Sequence, residues 1–296
     1  SMVDANVDGD FHIWLCNLYC LSPSKIDLFK ELESYRTNFR KNDTNLTVEL
    51  DHNKVHRFLS TLFEELDLIL PELTLKNIPK NMLEIIPSGV AYWLDRFSDG
   101  GGSFTVYIKD AKTTDLGKTL MVLVHEVLGH IFHFNLIKQS CMDKTKLLPH
   151  MGRLPLTEGV ALLAEDLFAE LTASKTFQQK LCSALGLEGA QGADLHNLIQ
   201  DAYLKSRALR ICRYVFEYLI YKDKMTPTLA IETLVAKSGL EKKSLKEDLL
   251  SFLPTPGYGS CYFGGYKILK DTVNLTSAGG RSILGKTGFD FIDSFS

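Results

Sequence analysis

The sequence contains no run of eighteen consecutive apolar residues, so a membrane-spanning helix of ordinary length is excluded. It also lacks an excess of either charge. Thirty-three basic residues stand against 36 acidic ones, a formal net charge of −3, and the electrostatic pull toward nucleic acid or an anionic membrane is weak. The six cysteines (Cys16, Cys20, Cys141, Cys182, Cys212 and Cys261) form no Cys-x-x-Cys pair and read as reduced core residues rather than a disulfide frame. Internal repeats, charge blocks and long linkers are missing too. With 45% hydrophobic and 23% charged residues, disordered and low-complexity classes are excluded. The opening residues have neither a basic region nor an apolar one, and Ser1-Met2 reads as a cloning remnant. The expectation is a soluble cytoplasmic protein with no nucleic-acid partner and no membrane span. What the composition leaves unexplained is eight histidines.

Helical periodicity dominates what is there. Ile26, Phe29, Leu32, Tyr35 and Phe39 recur every three or four residues, as do Val55, Phe58, Leu59, Leu62, Phe63 and Leu66 before Pro71. Strand-like runs at Val90–Phe97 and Phe104–Lys109 flank Ser98-Asp99-Gly100-Gly101-Gly102, a hairpin signal. Further helices are predicted near 117–139, 156–173, 175–186, 194–222, 227–237, 241–252 and 258–274. Residues 275–288 read as loop, and Phe289, Phe291, Ile292 and Phe295 give the tail apolar content with which to dock. The fold class is therefore mainly α with a small antiparallel β-sheet or hairpin. Residues 1–80 are expected as a helical segment packed on a body formed by residues 81–296.

The strongest local signal is His125-Glu126-Val127-Leu128-Gly129-His130. In the common zinc-peptidase spacing two histidines lie four apart and are about 40° from one another around an α-helix. Five apart is roughly 140°, and a regular helix would not aim both rings at one ion. A π-turn restores the geometry, with Gly129 a plausible place for it. An intact helix would instead align Glu126, His130 and His133 and leave His125 out. A third ligand is available at Glu158 in Thr157-Glu158-Gly159-Val160-Ala161, at the start of the next helix, where Gly159 would let two helices approach. Glu165 lies about 20° from Glu158 on helix geometry, in position to hold a histidine N–H behind the metal. His133 is a contingent partner of the same kind.

Taken together, His125-Glu126-x-x-x-His130 and Glu158-Gly159-x-Ala161 resemble the HExxxH zinc peptidases of gluzincin type. That group includes the microtubule-associated tyrosine carboxypeptidases and their bacterial relatives. The chain is also similar to bacterial zinc peptidases carrying His-Glu-x-x-Pro-Gly-His-His and Glu-Gly-Trp-Ala-Leu-Tyr-Ala-Glu. The likeness spans residues 85–275 or so, and extends to Arg213–Ala230 and to Pro256-Gly257 with Tyr262-Phe263-Gly264-Gly265. Departures are Leu128-Gly129 in place of Pro-Gly, Ile131 where histidine is frequent, and Glu217 and Tyr221 where an aspartate and a histidine are usual. They leave the expected metal ligands intact and fall on the substrate side.

The resemblance implies a zincin-like fold and a zinc-dependent peptidase, with carboxypeptidase action slightly preferred. One Zn²⁺ per chain would sit on His125, His130 and Glu158, with Glu126 as general base toward a metal-activated water. Tyr262 would be the oxyanion donor, with Tyr258 and Tyr266 as fallbacks and substrate contacts. Arg213, in the series Arg207, Arg210, Arg213, would anchor the carboxylate of a peptide or protein C-terminus, or else pair with Glu217 on a salt-bridged face. The strand Phe104–Ile108 would hold an extended substrate by strand addition. Two other classes compete: a non-catalytic binding or scaffold protein on a peptidase fold, and a non-haem iron enzyme using the same two histidines and carboxylate.

Overall fold

The computed structural model describes residues 25–39, 48–69, 83–88, 93–96, 104–109, 112–113, 115–131, 154–187 and 194–272. The first two helices among the described residues are α1 (Lys25–Asn38) and α2 (His52–Ile69). Between them β1 (Val48–Glu49) makes a short antiparallel bridge with β5 (Lys112–Thr113). The strands β2 (Leu83–Ser88), β3 (Trp93–Arg96) and β4 (Phe104–Lys109) form one sheet in the order β2-β4-β3.

The hairpin is present, with Trp93 opposite Tyr107 and Arg96 opposite Phe104. The sheet is nevertheless mixed, because β2 adds parallel to the other side of β4, pairing Leu83 with Phe104. That order corrects the strand-addition expectation. β4 is the central strand, its backbone groups are taken on both sides, and only β2 and β3 present edges within this sheet.

After β5, Asp115 caps α3 (Leu116–Leu123) by accepting from Lys118 N at 2.9 Å. The helix does not stop at Leu123 but widens into a π-helical segment, Val124–Ile131. Among the described residues six more helices follow: α4 (Leu154–Leu171), α5 (Lys175–Leu185), α6 (Leu195–Tyr221), α7 (Pro227–Ser238), α8 (Lys242–Ser251) and α9 (Tyr258–Thr272). Their ends follow capping chemistry. Ser174 and Thr226 cap by side chain, Pro227 opens α7, and Gly186 and Gly239 close helices in the left-handed conformation at φ 67° and 70°. The protein is thus predominantly helical, and no described helix is long and apolar enough to cross a membrane.

Two apolar clusters flank the centre. One gathers α2, α3, the π segment and α5, with Phe58, Phe177, Val124 and Val127 buried. The other gathers α1, α7, α8 and α9, with Leu32, Leu234, Leu249 and Phe263 buried. The helices α4 and α6 pass through both: Val160 and Ile211 belong to the second, Phe168 and Ile199 to the first. The seam between them is where α4 meets the π segment.

Candidate metal centre

His125 and His130 lie on the π segment, where hydrogen bonding from i to i+5 puts residues five apart nearly above one another. Their rings are 4.9 Å apart at 86°. Both Nε2 atoms turn to one carboxylate oxygen, Glu158 Oε2, at 3.3 Å from His125 and 3.8 Å from His130. Ligand atoms of the three buried residues all lie within 4.8 Å of one another. His125 is therefore in the group, and the alternative that leaves it out is not adopted. His133 lies outside the described residues.

Glycines shape this junction differently from the sequence expectation. Gly129 uses no left-handed backbone angle. It serves closeness instead: a Cβ there would stand 2.4 Å from Ala161 Cα, so the π segment lies directly on α4. Gly159 does not face the histidines; a Cβ there would meet Gly265 C of α9 at 2.7 Å. α4 is thus pressed on one side to the histidine segment and on the other to α9.

The donor set fits a divalent cation. Glu158 Oε2 is buried and makes no hydrogen bond, although two imidazole nitrogens face it. A buried carboxylate oxygen in that state is costly unless a cation completes it. Two imidazoles and one carboxylate are a zinc set with room for a fourth ligand. Behind the site, His125 Nδ1 meets Glu165 Oε1 at 2.8 Å, which orients the ring and leaves Nε2 for a metal. Glu165 is itself held by Ser206 Oγ at 3.1 Å and by Arg207 Nη1 at 3.6 Å. Glu165 thus stands against His125 Nδ1, and its two further supports come from α6.

Burial and charge set the protonation states. Burial opposes charge on His125, but Glu158 and Glu165 outweigh it and raise its pKa to about 9. Burial pushes Glu165 up, yet Arg207 and His125 hold it down at about 2. Burial pushes Glu158 up as well, but the two histidines outweigh it and bring its pKa below the ordinary value. Glu126, whose Oε2 is 3.8 Å from His130 Nε2, is raised by burial to about 7, with Glu158 adding to the rise.

The remaining residues sort themselves by contact. Tyr262 reaches the site: its ring stacks on His125 at 6.1 Å and 25°, and its hydroxyl donates to Tyr258 at 3.3 Å. Burial and the charge of Glu158 raise both phenols, Tyr258 to about 12 and Tyr262 well above the ordinary value. Tyr266 is taken elsewhere. It donates to Asp166 at 2.7 Å, accepts from Lys270 at 2.7 Å and lies under the Arg207 guanidinium at 4.5 Å. Its hydroxyl is thus engaged within the protein, away from the two histidines.

Arg213 is also corrected. Its fork closes on Asp248 of α8, Nε to Oδ2 at 2.8 Å and Nη2 to Oδ1 at 2.5 Å, with Phe252 beneath it at 4.4 Å. That fork is committed within the protein rather than to a substrate carboxylate, and the partner is Asp248, not Glu217. Glu217 instead accepts from Gly257 N, Gly259 N, Ser260 N and Ser260 Oγ, which caps α9 from α6. The residue that sequence reasoning missed is Arg210, whose guanidinium lies 4.4 Å from the centre of the Tyr262 ring. The three-residue series named it, but only the positions of Asp166 and Asp248 separate it from its neighbours.

Neither a family model nor a curated protein matches the chain. Among solved structures it is similar to a "putative lipoprotein" from Colwellia psychrerythraea, at 13% identity and a TM-score of 0.59 over 96% of this chain and 51% of that one. It is also similar to a protein of the same description and of unknown function from Shewanella oneidensis, at 14% identity and a TM-score of 0.54 over 98% and 55%. The chain spans about half the length of either neighbour, and at these identities what is shared is the fold.

Proposed function

We propose that the protein is a zinc-dependent peptidase of zincin-like architecture, acting on the C-terminal end of peptides or proteins. The observation that carries this reading is the convergence of His125 Nε2 and His130 Nε2 on the orphaned Glu158 Oε2, with a second glutamate, Glu126, beside them. His125, His130 and Glu158 would hold the ion, and zinc bound there supplies a Lewis acid and a water of lowered pKa.

The chain's own groups do the rest. Glu126 is poised near neutrality to take a proton from water and pass it to a leaving amine. Glu165 keeps His125 in the tautomer that frees Nε2. Tyr262, whose ring stacks on His125, and Tyr258, which accepts from it, would be the phenol donors to an oxyanion. An iron enzyme uses a similar triad, but a glutamate placed as base next to the first histidine favours hydrolysis.

The test is metal content and turnover together. One zinc per chain and chelator-sensitive peptide cleavage are expected, and Glu126→Gln should keep the zinc and lose cleavage by about 10²- to 10⁴-fold. Zinc-loaded protein with no turnover on a broad peptide library would favour a scaffold role instead.

A further inference from the structure

We propose that Arg210 is the residue that receives the free α-carboxylate of the substrate, an inference that rests on the peptidase reading. Three arginines stand at three-residue spacing on α6. Two of them are ion-paired with carboxylates of the protein, although Arg207 Nε and Nη1 make no hydrogen bond. Arg207 Nη2 bonds Asp166 Oδ1 at 2.6 Å and also the Leu162 carbonyl, and Arg213 is closed on Asp248. Arg210, between them, has no carboxylate within ion-pair distance among the described residues, and its Nε is buried without a hydrogen-bond partner.

Its position is as telling as its unused donor. The guanidinium lies on Tyr262, and Tyr262 stacks on His125, so one aromatic ring separates this cation from a metal-binding histidine. A guanidinium donor buried without a partner is costly, and a ligand that brings acceptors offsets that cost. The planar fork suits a carboxylate. The rings of Tyr258, Tyr262 and Phe252 cluster beside it, at 5.5 to 6.2 Å from one another, and would flank the terminal residue.

The experiment uses the zinc-loaded full chain and two peptides that differ only in a free or amidated C-terminus. The wild type is expected to favour the free acid by about 10- to 100-fold in kcat/KM. Arg210→Ala should abolish that ratio while zinc stays at one per chain. Arg210→Lys, which keeps the charge but not the fork, should reduce the ratio several-fold, and it decides the matter if the alanine variant does not fold. An unchanged ratio in these variants, or no preference in the wild type, overturns the assignment.

Calorimetric binding of the same two peptides separates this proposal from the peptidase reading. If neither peptide is cleaved, peptidase action fails. The carboxylate anchor then stands only if wild-type protein binds the acid more tightly than the amide and Arg210→Ala does not.

Discussion

Gly129→Ala is the most searching single substitution, because it perturbs the junction between the two metal-binding elements without touching a ligand. The added Cβ would lie 2.4 Å from Ala161 Cα and 2.6 Å from Ala161 Cβ, and ordinary van der Waals separation begins at 3.4 Å. The π segment and α4 must therefore separate by about 1 Å, and neither obstacle is a side chain that can rotate away. Overpacking of this kind costs about 1 to 3 kcal/mol, which lowers Tm by roughly 2 to 10 °C in a domain of this size. Alanine also favours regular α-helix over the wider turn that aligns His125 with His130. Metal–ligand distances tolerate only about 0.2 Å, so zinc affinity should fall at least 10-fold. Competition against a chelator of known affinity reads the second effect and thermal melting the first. A double variant adding Ala161→Gly should recover only part of the loss, because the α4 backbone at position 161 still stands in the way. If Gly129→Ala binds zinc as tightly as the wild type and melts within a degree of it, the tight junction is not what holds the ligands together.

Glu165→Gln should weaken zinc binding by about 10- to 100-fold, because the amide no longer fixes the tautomer of His125 with a charge; metal titration checks this. Asp248→Asn should cost about 3 kcal/mol in a denaturant melt by leaving the Arg213 guanidinium without its carboxylate, yet leave the preference for free-acid peptides intact. Glu217 gives a pH signature. Burial raises its pKa to about 7 from 4.5, so the folded state binds the extra proton, and its contribution is fully present below 4.5 and is lost as pH rises through 7. The loss is at most about 3 kcal/mol, and Glu217→Gln should flatten that slope in melts between pH 4.5 and 8.

Much of the centre was legible because it depends on spacing along single helices. His125, His130, Glu126, Glu158 and Glu165 follow from two short segments and the turn geometry of each, and the five-residue spacing left a choice between a wider turn and an intact helix through His133 that the π segment resolves for His125 and His130. What spacing does not carry is the identity of a partner from another helix. Arg210 and Arg213 are alike in sequence, and Asp248, 35 residues beyond Arg213, decides which one is spent. Gly129 was expected to ease the π-turn and Gly159 to let the histidine helix approach, but it is Gly129 that makes the close approach to α4, and Gly159 faces α9. Glu217 read as a salt-bridge residue of its own helix, whereas it serves the N-terminus of another. The hairpin was signalled by its glycine-rich turn, while the parallel addition of β2 pairs strands 21 residues apart in register and left no local mark.

The seam between the two apolar clusters has a thermodynamic corollary. The histidines belong to the side built around Phe58 and Phe168, while Tyr262 and Arg213 belong to the side built around Phe263 and Leu234. Anything bound between them is held by both at once, and its binding energy is released only when the halves part. The helices α4 and α6 already run through both sides, so a bound ligand adds a further tie across a seam that two helices span. Ligand should therefore raise hydrogen-exchange protection on both sides together rather than on one alone. The centre would then act as a rivet as well as a site of chemistry.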